Sequence, residues 1–309
     1  MKEIGLYIHI PFCKKKCLYC DFNSYEIHDE DKYIDALCKE IGIYMGKYKF
    51  KTVFFGGGTP TLIKWQNIKK IMNVIKPNIK KNAEITIECN PETVNVTTMG
   101  MYRKMGINRL SIGLQATQDE LLETVGRIHN FGDFLNCYDL ARSRGFQNIN
   151  IDLMFSLPGQ DILMWQETLA KVCSLKPEHI SCYSLIVGET TPLFSLIKSG
   201  DLVIPDEDTD REMYHLAENV LSDYGYKQYE ISNFSKEGYK CLHNLIYWEN
   251  EEYLGVGAGS HSKLEQRRFW NIKGVKDYIE LMDGKDSAMS GFEDIGTEED
   301  MWETIILNL

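Results

Sequence analysis

The sequence predicts an α/β fold, a partial (β/α)6 barrel of the TIM-like kind followed by an additional α+β segment. Two observations favour it. Short apolar strands alternate with amphipathic helices over the first two thirds of the chain, and this alternation is typical of a parallel sheet flanked by helices. Several of the strands are apolar on both faces, as a sheet covered by helices requires. The six strand–helix units fit a partial barrel better than a full barrel of eight.

The elements follow one another in a regular order. Each predicted strand is short and carries β-branched or aromatic side chains, and the strands are Gly5–Ile10, Thr52–Phe55, Glu84–Glu88, Arg109–Leu114, Asn148–Met154 and His179–Leu185. Amphipathic helices are predicted between them, over Asp31–Tyr48, Trp65–Ile75, Val96–Met105, Phe134–Ser143 and Leu163–Ser174. The alternation stops after Thr191, and a helix over Thr209–Tyr224 leads into a segment rich in aromatic residues, Asn and Gly. We therefore expect a core domain over residues 1–190 and an accessory segment over 191–309.

Composition limits the classes of function. The chain of 309 residues is 43% hydrophobic and carries 34 basic against 45 acidic residues, a formal net charge of −11. This balance disfavours binding to nucleic acid. No apolar run is long enough to span a bilayer and no signal peptide precedes the first strand, so we expect a cytoplasmic protein with its nine cysteines reduced. The acidic runs 206–212 and 291–303 are interpreted as solvated helix starts.

Three cysteines near the N-terminus are the most informative feature. Cys13, Cys17 and Cys20 follow the first strand with the spacing C-x3-C-x2-C. A [4Fe–4S] cluster is held by cysteine thiolates, and three local ligands leave one iron open to a small chelating ligand, which is how a radical S-adenosylmethionine (SAM) site is built. Zinc is the main alternative, but a structural zinc site needs four ligands, usually from two C-x2-C pairs. The sequence has no second pair.

A glycine motif follows the second strand. Gly57, Gly58 and Thr59 lie in the run GGGTPT. Glycines let a backbone approach a ligand closely and offer it N–H and C=O groups. The run is not a Walker A loop, since no Lys-Ser/Thr follows at the required spacing. A tight turn alone is the simpler alternative. Its place directly after a strand favours a cradle for the methionine moiety of SAM.

Polar residues end three successive strands. Glu88 ends the third, Gln115 follows the fourth and Asp152 lies towards the end of the fifth. Polar groups at the ends of apolar strands are costly unless they are hydrogen-bonded. Glu88 and Asp152 are candidate partners for ribose hydroxyls, and Arg127 for the SAM carboxylate. The alternatives are helix caps for the three polar residues and a surface salt bridge for Arg127.

A second candidate site lies in the accessory segment. His243 opens the run HNLIYW, next to Asn, Tyr and Trp. Imidazole is a frequent axial ligand of haem iron, and aromatic side chains suit a flat macrocycle. A packed or surface histidine is the simpler alternative. His261, in the glycine-rich run that follows, receives no role.

Together these residues resemble the radical SAM family of oxygen-independent coproporphyrinogen III oxidases and their relatives, from about Tyr7 to the end of the chain. The signature YIHIPFCKKKCLYCDF carries the cluster cysteines. The resemblance implies SAM contacts at the sites above and in addition at Tyr7, Tyr19 and Ile186, the last through its backbone.

Two features favour the HemW-type haem-chaperone branch of this family. The oxidases carry a further cysteine two places after the third, where this chain has Phe22. The chaperone branch carries H-N-x-x-Y-W, and HNLIYW matches every fixed place. The resemblance therefore implies haem ligation by His243 and transfer of haem to an acceptor protein, with the cluster and SAM retained. Oxidative decarboxylation of coproporphyrinogen III is the alternative, and a haem-degrading radical SAM methyltransferase is a third.

The resemblance also bears on partners. It implies a flavodoxin- or ferredoxin-type electron donor beside the haem acceptor, and it leaves a homodimer and peripheral membrane association open. The chain ends at MWETIILNL, where relatives continue into a small C-terminal domain. We therefore expect the second segment to include only the start of that domain.

Overall fold

The computed structural model describes residues 1–26, 29–285 and 287–308. Its strands are β1 (Lys2–Ile10), β2 (Phe12–Cys13), β3 (Tyr25–Glu26), β4 (Tyr48–Gly57), β5 (Ile79–Cys89), β6 (Arg109–Gln115), β7 (Ile149–Phe155), β8 (His179–Ser184), β9 (Lys227–Glu230), β10 (Asn233–Ser235), β11 (Tyr253–Val256), β12 (His261–Leu264), β13 (Arg267–Asn271) and β14 (Met289–Asp294). Its α-helices are α1 (Glu30–Tyr44), α2 (Trp65–Ile75), α3 (Val96–Met105), α4 (Asp119–Thr124), α5 (Phe131–Ser143), α6 (Ile162–Ser174), α7 (Pro192–Lys198), α8 (Glu207–Asp223), α9 (Leu242–Trp248), α10 (Val275–Gly284) and α11 (Thr297–Leu307).

One large sheet organises the chain. Its strand order is β14-β13-β12-β11-β1-β4-β5-β6-β7-β8-β10-β9. The six strands predicted from the sequence, β1 and β4 to β8, are neighbours in chain order and pair in parallel. The predicted α/β class with a large parallel sheet is confirmed.

The two faces of these strands differ in chemistry. Side chains facing the helices are apolar and fully buried, as Leu6, Val53 and Ile87 show. Side chains on the other face include buried polar groups such as Thr86 and Arg109. The prediction of strands apolar on both faces therefore holds only in part, because the concave side of the sheet is a polar chamber whose groups must find hydrogen-bond partners.

The accessory segment joins the same sheet. Strand β11 pairs in parallel with β1, and β10 pairs antiparallel with β8. The start of α9 lies between distant strands: Cys241 N–H donates to the Tyr229 hydroxyl of β9, and His243 N–H donates to the Glu84 carboxylate of β5. Four strands separate β5 from β9 in the sheet, so the sheet curves around α9. The division at residue 190 stays a prediction.

Some boundaries differ from the prediction for local reasons. The first helix ends at Tyr44 rather than Tyr48, because Gly46 adopts a positive φ of 81° and Tyr48 already begins β4. The acidic runs do begin helices: Asp206 caps α8 by accepting from Thr209 N–H, and the second run contains the start of α11. In the described part of the chain, no helix combines the length and apolar character needed to cross a bilayer.

Candidate functional site

The cluster loop is anchored on both sides. Cys13 ends β2, and Cys20 N–H donates to the Cys17 carbonyl (3.2 Å) in a tight turn. Between them Leu18 N–H donates to the Val125 carbonyl, and Leu18 C=O accepts from Leu193 N–H. All three cysteines are free and half-buried. The loop thus holds three thiols beside the carboxyl ends of the parallel strands.

The glycine motif is hydrogen-bonded to the start of that loop. Gly58 N–H donates to the Ile10 carbonyl and Thr59 N–H to the Phe12 carbonyl, both at 2.8 Å. The Thr59 hydroxyl lies 3.7 Å from Cys13 Sγ. A Cβ on Gly58 would stand 2.7 Å from the Phe12 carbonyl oxygen, so a side chain there has no room. The two motifs predicted separately from sequence form one structural unit.

Arg127 reaches this unit from the turn after α4. Its Nη2 donates to Asn90 Oδ1 and to the Gly113 carbonyl, both at 2.8 Å, and its Nη1 lies 3.6 Å from Cys17 Sγ. Its Nε is buried without a hydrogen-bond partner among the described residues. A guanidinium held by one edge, with a further donor unsatisfied, is suited to bind a carboxylate. The surface salt bridge predicted as an alternative is not formed by the described residues.

Glu88 and Asp152 face the same chamber from β5 and β7. Gly57 N–H donates to Glu88 Oε2 (3.1 Å), while Ser111 and Asn150 donate to the Asp152 carboxylate (3.0 and 2.8 Å). Burial, then the negative charge of Asp152, raises the pKa of Glu88 to about 8. Burial likewise raises the pKa of Asp152. Neither residue caps a helix, and the pair offers hydrogen-bond acceptors on two strands separated by β6.

Three further predicted SAM contacts lie around this edge. Gln115 ends β6 with a positive φ of 74°, a strained conformation for a residue with a side chain and one that recurs at functional sites. Tyr19 lies half-buried inside the cysteine loop near Arg127, and burial raises the pKa of its hydroxyl. Ile186 follows β8, and its side chain is 85% exposed.

Tyr7 connects this edge to the interior. Its hydroxyl is hydrogen-bonded to His9 Nδ1 (3.0 Å), and burial followed by the charge of Glu88 raises its pKa. Its ring stacks on Phe54 with a centroid distance of 6.2 Å. Phe54 in turn stacks on His243 at 5.1 Å. A column of rings therefore runs from the predicted SAM site towards α9.

The structure places His243 inside this column. The imidazole is 1% exposed, with Nδ1 2.8 Å from the Thr52 hydroxyl and Nε2 3.0 Å from the Tyr247 hydroxyl. Burial, then the charge of Arg109, lowers its pKa to about 3, so the ring is neutral. Thr52 and Glu84 lie midway along their strands, whereas Gly57 and Glu88 lie at or next to the ends. The structure thus brings the predicted SAM residues together at the carboxyl ends of the strands and holds His243 deeper in the chamber, level with the middle of β4 and β5.

Comparison with known proteins agrees with this geometry. The family model of the Radical SAM superfamily matches residues 7–172. The chain is 39% identical over 98% of its length to the heme chaperone HemW of Bacillus subtilis, of which it spans 82%, and 36% identical over 85% of its length to that of Escherichia coli, of which it spans 71%. The chain belongs to the HemW family of the radical SAM superfamily.

A solved structure shows the same fold. Coproporphyrinogen III oxidase (HemN) of Escherichia coli, described as a radical SAM enzyme, superposes with a TM-score of 0.88. The two chains are 25% identical, and the match covers all of this chain and 75% of the oxidase. The similarity therefore extends beyond the parallel strands to the accessory segment.

The site fits the cofactors of the superfamily, a [4Fe–4S] cluster and SAM. Three thiols on one anchored loop suit a cluster, and the tight space at Gly58 and the unsatisfied Arg127 Nε suit a closely held amino acid moiety. In the described residues no group of His, Cys, Asp and Glu converges as the ligands of a single ion do.

Sequence reasoning missed the residues that hold the site together. Asn90 donates to the Thr59 hydroxyl (3.0 Å) and accepts from Arg127, so it joins the glycine motif to Arg127. Asn90 directly follows β5, and its place two residues after Glu88 was the available signal. Glu84 and Arg109 left no such signal, because their role depends on α9 returning to the chamber.

Proposed function

We propose that this protein is a haem chaperone that binds haem and passes it to an acceptor protein while carrying the cluster and SAM. The observation that carries the proposal is the set of HemW relatives, 30 to 39% identical over 85 to 100% of the chain. The oxidase HemN is 25% identical. Since the fold is shared, the difference in identity favours the chaperone.

Phe22 supports the same choice. It stands where the oxidases carry a further cysteine, and its side chain is 69% exposed at the end of the cluster loop. No thiol is therefore available at this position for the oxidase reaction. Decarboxylation of coproporphyrinogen III is the second candidate, and the close superposition on HemN is what favours it.

The residues of the SAM site have separable tasks in this proposal. When bound, the reduced cluster supplies the electron for cleavage of SAM. The thiols of Cys13, Cys17 and Cys20 would hold the cluster, and the unsatisfied Nε of Arg127 would donate to the SAM carboxylate. Glu88 and Asp152 would accept from the ribose hydroxyls. In a chaperone this machinery can serve structure, dimerisation or haem release rather than turnover.

His243 is the proposed axial ligand, and the structure sets a condition on it. Both ring nitrogens are hydrogen-bonded, so binding of iron through Nε2 requires the Tyr247 hydroxyl to leave. Tyr247→Phe removes that hydroxyl and keeps the ring. If His243 binds iron, the variant should bind haem several-fold more tightly than the parent, whereas His243→Ala should abolish the ligand's absorption signature. If Tyr247→Phe and His243→Ala both retain the parent's haem spectrum, His243 is a packing residue.

The proposal extends to partners and location. We place the protein in the cytoplasm, where its free cysteines stay reduced. It would meet a flavodoxin- or ferredoxin-type electron donor at the end of the sheet that carries the cluster loop. A homodimer and peripheral membrane association belong to the same proposal.

One experiment separates the two functions. The protein is reconstituted anaerobically with iron and sulfide, then titrated with haem and, in a separate sample, incubated with coproporphyrinogen III, SAM and a reductant. A chaperone binds haem stoichiometrically and releases no carbon dioxide from the porphyrinogen. Formation of protoporphyrinogen would show an oxidase and would overturn the proposal.

A further inference from the structure

A cavity of about 250 Å³ lies beside the HNLIYW helix. Tyr247 and Tyr253 contribute aromatic rings in edge-to-face contact, with centroids 4.7 Å apart. Lys263 and Arg268 line it from β12 and β13, and α11 covers it with Glu303, Ile306 and Leu307. Aromatic walls and a pair of cations are the features that bind a flat apolar ring system with anionic groups at its rim.

Each of the two cations contacts a carboxylate of one helix, and Arg268 Nη1 also donates to Glu293 Oε1 of β14 (2.6 Å). Lys263 is only 5% exposed, and its Nζ donates to Asp300 Oδ1 (2.6 Å) and to Asn250. Arg268 Nη2 donates to both oxygens of Glu303 (3.0 and 2.9 Å). Asp300 and Glu303 are three residues apart and so lie on one face of α11. A pair of carboxylates thus already occupies the positions that an anionic ligand would need.

Helix α11 is attached to the cavity by polar contacts. None of its described residues is buried. Besides the two cations, Asn250 Nδ2 donates to Asp300 Oδ1 (3.0 Å) and to the Thr304 hydroxyl (2.9 Å). The Asn250 contacts join partly exposed groups and contribute little each. Lys263 is buried, so leaving its ammonium group unpaired is costly. An incoming ligand can therefore displace the helix only if its own carboxylate replaces that of Asp300 on Lys263.

The cavity is also connected to the predicted iron ligand and to the SAM site. Tyr247 lies against His243 edge-to-face at 5.3 Å, and the ring column continues through Phe54 to Tyr7. Tyr247 is therefore the residue that separates the cavity from His243. With the helix in place, the volume is below the roughly 300–1,000 Å³ typical of ligand pockets, so a porphyrin enters only if α11 moves away.

We propose that this cavity is the haem site and that the two haem propionates bind Lys263 and Arg268. In the protein without haem, α11 covers the site, and its Asp300 and Glu303 carboxylates take the positions of the propionates. Binding of haem displaces α11. The inference rests on the proposed haem-chaperone function. It assigns haem to the end of the sheet opposite the cluster loop. When haem binds, its propionates replace the carboxylates of Asp300 and Glu303 on Lys263 and Arg268, and when haem leaves, the two carboxylates return.

Substitutions of the cations and of the α11 carboxylates should change haem affinity in opposite directions. Ferric haem is titrated into the reconstituted protein and into its variants. Arg268→Met and Lys263→Met should each weaken haem binding roughly tenfold, as loss of a charged hydrogen bond does. Asp300→Asn with Glu303→Gln should instead strengthen it roughly tenfold, because the propionates no longer compete with carboxylates. The iron porphyrin dimethyl ester, which lacks propionate charges, should bind the parent and Arg268→Met equally.

Controls keep the result unambiguous. Arg267 and Asp294 form an exposed ion pair on neighbouring strands outside the cavity (2.6 Å), so Arg267→Met should leave haem affinity unchanged. If the cation variants misfold, the carboxylate variants on the exposed helix still decide. A parent that binds haem while all variants bind it equally overturns this site and leaves the chaperone function standing. A parent that binds no haem overturns both.

Discussion

The substitution Gly58→Ala tests the close contact between the glycine motif and the cluster loop. A Cβ on Gly58 would lie 2.7 Å from the Phe12 carbonyl oxygen and 3.0 Å from Cys13 Sγ. The nearer atom belongs to the backbone, so relief requires the loop that carries the first cysteine to move. Overpacking of this kind costs about 1–3 kcal/mol. We expect Gly58→Ala to lose that much free energy of unfolding and to incorporate less cluster.

The assay measures both effects on one preparation. Urea denaturation gives the free energy of unfolding, and iron and sulfide analysis after anaerobic reconstitution gives the cluster content. Gly100→Ala is the matched control, since its Cβ meets no atom within 4 Å and it lies inside α3. Alanine should stabilise that helix by about 0.5–1 kcal/mol. A Gly58→Ala protein with the parent's stability and full cluster content would refute the close packing described here.

Three further substitutions test the electrostatics. Burial, and then the charge of Asp152, raises the pKa of Glu88 to about 8. The native state therefore binds more protons than the unfolded chain between about pH 4.5 and 8. Because of this difference, the free energy of unfolding falls as pH rises through that window. Glu88→Gln should remove this slope and exceed the parent in stability by on the order of 5 kcal/mol at pH 8.5, but not at pH 4.5. Urea titrations at each pH measure this difference, and an unchanged slope would contradict it. Glu84→Gln should lower the free energy of unfolding by about 1–3 kcal/mol, because Glu84 accepts hydrogen bonds from the first N–H groups of α9. Calorimetry measures this loss, and an unchanged free energy of unfolding would contradict the prediction. Arg127→Met should weaken SAM binding at least tenfold by titration calorimetry on the reconstituted protein, and equal affinity would exclude Arg127 as the carboxylate partner.

Local patterns made the fold and the cluster loop predictable. Each strand of the parallel sheet is bounded by its own turn signals, and the spacing from Cys13 to Cys20 needs no distant partner. The same holds for Glu88 and Asp152, since residues at the carboxyl ends of parallel strands meet at one edge of the sheet. These inferences require only the chain order of the strands.

Long-range packing made the remainder unpredictable. The sequence shows His243 beside Tyr247, but not that α9 returns into the chamber, where Thr52 and Glu84 hold its first turn. Similarly, Lys263 belongs to a segment from which the sequence predicted no strand, and its carboxylate partners come from α11. Contacts between segments far apart in the chain depend on how the whole sheet curves, which periodicity does not encode.

Handover of haem is the central claim, and its kinetics test it most directly. Haem-loaded, reconstituted protein is mixed with increasing concentrations of a haem-binding acceptor in its apo form, and the transfer rate is followed by absorbance. A chaperone transfers through contact, so the account predicts a rate that rises with acceptor concentration. A rate that stays at the value for spontaneous haem dissociation at every acceptor concentration would contradict it.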